Sequence, residues 1–129
     1  MNLHNQLGQH SFWMINKHLA RKVGVHGALL LADLISKRQY FIDNKDIESE
    51  NDWFFNTQEN IELDTTLTPY LQREAIQRLK EAGFIDTKQK GIPKKRYFII
   101  FDHLLLKFLT TGGENSLPLD VKIFDTNKN

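Results

Sequence analysis

The chain has 129 residues, enough for one domain with its own core, and its 40% hydrophobic and 26% charged residues are the mix of an ordinary soluble globular protein. The absence of cysteine excludes a disulfide framework and a thiolate zinc site, and fits a reducing cytoplasm. A net charge of +1 hides strong segregation: residues 1–42 carry five Lys/Arg and one acid, residues 43–64 eight acids and one lysine, and residues 73–96 eight Lys/Arg and three acids. Polyanions respond to such local patches rather than to the overall balance.

The first residues, MNLHNQLGQH, are polar, lack the layout of a signal peptide, and are expected to fray. Ser11 is a candidate cap for a helix reaching about Arg21, with Phe12, Ile15 and Leu19 on one face, and Gly24 ends it. A second helix, about Val25 to Tyr40, is apolar at Val25, Ala28, Leu29, Ala32 and Ile35, and again at Leu30, Leu31 and Leu34. That is wider than a surface helix needs, so it is either central to the core or keeps a second face for a partner subunit. The longest apolar run, Ala28–Ala32, is too short to span a bilayer, and a cytoplasmic location with no membrane partner is expected.

Residues 43–52, DNKDIESEND, form a solvated acidic loop; a calcium loop would need a Gly that is absent. Trp53–Phe55 is a short apolar strand. Thr57 caps a helix over Gln58–Asp64 whose Ile61 and Leu63 are expected to face inward, and Thr65–Leu67 is a turn. Thr68 then caps the next helix, with Pro69 at its first position, where a missing N–H costs nothing. Leu71, Ala75, Ile76, Leu79 and Ala82 make one apolar stripe, and Gly83 closes the helix. The opposite face is assigned Tyr70, Gln72, Arg73, Gln77, Arg78 and Lys80, side chains that reach phosphates and base edges but hold no nucleophile–base pair.

A strand over Phe84–Lys88, a turn over Gln89–Lys94 and a strand over Arg96–Phe101 make a β-hairpin rich in cations: Lys88, Lys90, Lys94, Lys95 and Arg96. Trp53, Phe54, Phe55, Phe84, Tyr97, Phe98 and Phe101 could be base-stacking platforms, but alternation in short strands assigns most of them to the core. Asp102 caps a last short helix. From Thr110 onward Gly-Gly, Pro and Asn predict a flexible tail that is not needed for folding, with Val121, Ile123 and Phe124 available to a partner. The predicted organisation is therefore a domain over residues 1–109 and a tail over residues 110–129.

This order of elements resembles a winged helix-turn-helix domain from about Ser11 to Phe101. The stretch WFFNTQENIELDTTLTPYLQREAIQRLKEAGFIDTKQKGIPKKRYFII is similar to the winged-helix domains of phage and plasmid replication initiators, the replisome-organiser group in particular. The resemblance implies an α+β winged helix with extra N-terminal helices and a short C-terminal helix, binding double-stranded DNA with Thr68–Ala82 in a major groove and the hairpin on the backbone or minor groove. The residues implied are Thr66, Thr68, Tyr70, Gln72, Arg73, Gln77, Lys80, Lys88, Lys90, Lys94, Lys95 and Arg96. Arg73 suits guanine O6/N7, Gln72 or Gln77 adenine N6/N7, and the two threonines phosphate. Glu74 beside Arg73, and the acidic Glu59, Glu62 and Asp64, run against that pattern. Related winged helices also serve as transcription repressors and as oligomerisation scaffolds of primosome-like assemblies.

No catalysis, metal or cofactor is expected. His4, His10, His18, His26 and His103 are scattered without an i,i+4 pair or an HExxH-like acid, and there is no Walker loop or GxSxG. His18 is assigned to the surface or to a cap. The partners expected are duplex DNA, a second copy through the N-terminal helices, and other replication proteins.

Overall fold

The computed structural model describes residues 2–8 and 13–115, with side chains through residue 111. Its elements are α1 (Leu3–Leu7), α2 (Lys17–Asp43), β1 (Phe54–Phe55), α3 (Gln58–Thr65), α4 (Pro69–Glu81), β2 (Ile85–Lys90), β3 (Lys95–Ile100) and α5 (Asp102–Asn115). The fold is α+β, with the helix-turn-helix α3–α4 followed by the β2–β3 hairpin in the order of a winged helix. A three-stranded antiparallel sheet, ordered β1–β3–β2, carries the helices on one face.

The helix α2 is the centre of the core. Asn16 caps it by accepting from Leu19 N–H at 2.9 Å, whereas the start expected at Ser11 lies outside the described residues. Gly24, at φ 82° and ψ 162°, interrupts the helix in a region essentially open only to glycine. The chain resumes its turns at once, so the two predicted helices form one kinked rod. Leu19, Val23, Ala28, Leu30, Leu31 and Leu34 are buried, and α3, α4 and α5 all pack on this rod. Its wide apolar perimeter is thus consumed largely inside the protomer. Near its end Arg38 donates to both carboxylate oxygens of Asp102, at 2.6 and 3.0 Å, and to Glu50 O at 3.1 Å. That bidentate contact ties the last turns of α2 to the acidic loop and to the first residue of α5.

Strand register sorts the sheet side chains into two sets. Phe54 lies opposite Phe98, and Ile85 opposite Ile100, all four buried in the core; Phe55 and Lys88 lie opposite Tyr97, on the other face. Gly83, at φ +83°, supplies the left-handed residue that lets the chain leave α4 for the sheet.

Four expectations change. Residues Leu3–Leu7 form a short helix that buries nothing. Leu63, expected inward, is 81% exposed, because α3 buries Ile61 and Thr65 instead. His18 is half-buried in the first turn of α2, its ring lying flat on Phe108 with centroids 4.3 Å apart. Finally, α5 runs past Thr110 to Asn115, so the expected boundary after residue 109 falls inside a helix; Val121, Ile123 and Phe124 lie outside the described residues.

At Gly24 an added Cβ would stand 2.8 Å from Arg78 Nη1, in addition to the disallowed backbone. Gly24→Ala is therefore expected to destabilise the protein by roughly 1–3 kcal/mol in urea unfolding. An unchanged midpoint would show that the kink relaxes into a straight helix at no cost.

Candidate nucleic-acid interface

The outward face of α4 is set by what its other face buries. Thr68 Oγ1 accepts from Leu71 N–H at 3.3 Å and starts the helix, and Ala75 and Leu79 are buried with Leu71 and Ile76 partly so. Gln72 is a correction to the sequence reading. It is 1% exposed, and its Nε2 donates to Gln58 O at 3.0 Å and Leu67 O at 2.9 Å. Its amide joins the start of α3 to the turn before α4, so it cannot read an adenine.

Tyr70, Arg73, Glu74, Gln77 and Arg78 remain outside and line a shallow groove of about 390 Å³. The Arg73 guanidinium lies 5.8 Å from the Tyr70 ring centroid. Glu74 accepts from Tyr70 O–H at 2.8 Å rather than pairing with Arg73, and that hydrogen bond raises the Tyr70 pKa. Gln77 Nε2 donates to Glu81 at 2.9 Å, a surface bond that water or a base edge can replace. Lys80 Nζ reaches Thr87 Oγ1 at 3.4 Å and links α4 to the hairpin.

At the amino end of α4, Thr66 is exposed in a left-handed conformation, φ 68°, and its backbone N–H is already given to Glu62 O at 2.8 Å. With Pro69 lacking an N–H, the hydroxyls of Thr66 and Thr68 are what this end brings to a phosphate, rather than a row of backbone amides.

On the hairpin, Lys88, Lys90, Lys94 and Lys95 are exposed. Arg96 is a second correction: it is half-buried over the Phe98 ring at 5.0 Å, its Nε and Nη2 covered. Burial lowers its pKa, with Glu59 opposing. Arg96 faces the core side of the sheet and does not extend to a phosphate. Arg78, assigned to the outward face by its spacing but not among the residues the resemblance implied, borders the α4 groove and packs over Gly24.

A separate cleft of about 560 Å³ lies between α2 and α3, lined by Trp13, Asp33, Ser36, Lys37, Tyr40, Leu63 and Asp64. Asp33 is buried there, and its pKa rises to about 7 through desolvation, then the charge of and a hydrogen bond with Asp64; Lys37 opposes.

Among the described residues, Arg38–Asp102 is the single ion pair within 4.0 Å. The cations of α4 and the hairpin therefore have no carboxylate within 4.0 Å among the described residues, and no helix among those residues is long and apolar enough to cross a membrane.

No family model matches the sequence, and no curated protein matches it. Its fold is shared by solved structures, two of which follow. One, described as the N-terminal domain of a DNA-binding protein, is 13% identical at a TM-score of 0.58, covering 89% of this chain and 95% of its own. The other, described as a Rep–DNA complex, is also 13% identical at 0.58, covering 87% and 95%.

Two outcomes follow from these side chains. Gln72→Met removes both amide bonds, leaves the buried Leu67 carbonyl unpaired, and is expected to cost roughly 1–3 kcal/mol in urea unfolding. Asp33 holds a proton in the folded state that the unfolded chain releases near its ordinary pKa of 3.8. Its contribution to stability is then full below that value, declines as pH rises, and is gone above about 7. His18, lowered by burial and then by Arg21, works in the opposite direction and is common to parent and variant. Melting temperatures from pH 5 to pH 8, as the difference between parent and Asp33→Asn, should favour the parent progressively toward low pH. A difference independent of pH would contradict the raised Asp33 pKa.

Proposed function

We propose that the protein binds double-stranded DNA with α4 in the major groove and the β2–β3 hairpin along the backbone. The observation that carries this reading is the set of exposed cations on one continuous stretch, Arg73, Arg78, Lys80, Lys88, Lys90, Lys94 and Lys95, unpaired among the described residues. The interleaved Glu74 and Glu81 are engaged by Tyr70 and Gln77 rather than by these cations, and cations without carboxylate contacts suit phosphate binding through counterion release. Arg73 and Gln77, one turn apart, are the candidates for base edges; Lys90, Lys94 and Lys95 act as point charges on phosphates. No chemical step is assigned to the protein.

The finer reading is origin recognition in phage or plasmid replication, supported by the resemblance of the Trp53–Ile100 stretch and by the fold shared with a Rep–DNA complex. A repressor would use the same surface. The interaction-scaffold reading draws on a different observation, the α2–α3 cleft with Leu63 81% and Tyr40 57% exposed. A homodimer is part of the proposal: Met14, Ile15, Val25 and Ile35 are among the apolar residues still exposed along the N-terminal half. Sedimentation at tens of micromolar should give twice the monomer mass, and a monomer there would remove it.

Arg73→Ala should cost roughly 1–3 kcal/mol on a duplex selected by the protein and much less on random duplex. Replacing Lys90, Lys94 and Lys95 by Ala should weaken both duplexes alike and flatten the salt slope by roughly one unit per lost contact. Duplex binding insensitive to both changes would leave the scaffold reading in place.

A further inference from the structure

The sheet has an outer face, away from the helices, whose aromatic rings the duplex reading does not use. Phe54 and Phe98 point into the core beside side chains of α2, α4 and α5, so Trp53, Phe55 and Tyr97, of opposite parity, stand on the other face. All three are only partly buried. The Phe55 and Tyr97 rings lie side by side, centroids 5.9 Å apart. Over each ring sits an ammonium: Lys88 is 4.3 Å from the Trp53 centroid, Lys95 is 5.1 Å from Phe55, and Lys90 is 5.3 Å from Tyr97.

We propose that this outer face binds single-stranded DNA, its unpaired bases stacking on Trp53, Phe55 and Tyr97 while Lys88, Lys90 and Lys95 swing off the rings onto the phosphates. The chemistry of the surface selects the occupant. An apolar protein face would have to strip water from several ammoniums without pairing them, at a cost no ring contact recovers. A nucleotide strand offers flat π faces to the rings and anions to the lysines at once, the combination that holds single strands without sequence preference. The lysines also explain how bare aromatic rings remain on an exposed sheet: their stems cover the rings until a base replaces them.

The face is distinct from the groove of α4, because α4 packs on the opposite side of the sheet. The hairpin lysines border both, so a duplex held by α4 and an unpaired strand lying on the sheet would meet at the hairpin. The choice of DNA rather than RNA rests on the duplex reading above.

The test uses the full chain carrying Trp13→Phe, which leaves Trp53 as the sole tryptophan. Titration with dT12 should quench Trp53 fluorescence, and inorganic polyphosphate of equal charge should not. In anisotropy with labelled dT12, Phe55→Leu/Tyr97→Leu should weaken binding at least tenfold and leave duplex affinity within twofold. Arg73→Ala should do the reverse. Unquenched Trp53 fluorescence in the presence of dT12 would overturn the proposal, and this readout does not depend on the folding of the double variant. Equal quenching by polyphosphate would overturn it as well, reducing the face to a charge patch, and tighter binding of rU12 would overturn the choice of DNA. Quenching by dT12 in a protein that binds no duplex would leave this site standing and remove the duplex reading instead.

Discussion

The buried amide of Gln72 is the contact on which the arrangement of α3 and α4 depends. Its two N–H groups are spent on Gln58 O, at the start of α3, and Leu67 O, in the turn between the helices. Leu67 O precedes α4 and takes no part in its ladder, and burial makes such a carbonyl expensive to leave unpaired. The amide therefore fixes the crossing of the two helices and, through it, the rotation of α4 about its own axis. Thr65 reinforces the same corner, donating its hydroxyl to Ile61 O at 2.6 Å and accepting from Leu67 N–H at 3.1 Å. With that rotation fixed, Arg73, Gln77 and Arg78 have nowhere to point but outward.

This corner is braced from behind by α2. A helix of 27 residues with Gly24 at its kink meets α3, α4 and α5 along its length, and Arg78 closes over the kink where a side chain at position 24 would collide with it. Arg38 clamps the far end through Asp102, placing α5 where Phe108 can lie against His18 and Phe84. The outward helix face and the hairpin are thus presented by a rigid frame rather than by loops, as a surface that must match a regular groove requires.

Much of this was legible in the sequence. Thr68, Pro69 and Gly83 bound α4 because each residue answers a local backbone demand that no tertiary contact overrides. The side-chain assignments failed where residue type was trusted over position. Gln72, Ala75 and Leu79 stand at i, i+3 and i+7, the buried stripe of the helix, so spacing placed Gln72 inside while its polarity suggested the surface. Arg96 likewise shares the parity of Phe98 and Ile100, the core face of β3. The same parity argument, applied to Trp53, Phe55 and Tyr97, separates the outer rings from the core rings that pattern alone had merged. Leu63, assigned inward by its apolar type, is exposed because a helix as short as α3 buries only Ile61 and Thr65. The partners of Gln72 and Arg38 are backbone and side-chain atoms brought together only by the fold, and a single sequence carries no sign of them.

The central claim is that the outward face of α4 and the hairpin, not the α2–α3 cleft, meets duplex DNA. Backbone amide shifts of the isotope-labelled protein, recorded while a mixed-sequence duplex is added at low salt, test it most directly. The account predicts perturbations grouped over Thr66–Lys80 and Thr87–Lys95, fading as salt is raised. Perturbations grouped instead at Ser36, Tyr40 and Leu63, with α4 unmoved, would contradict it.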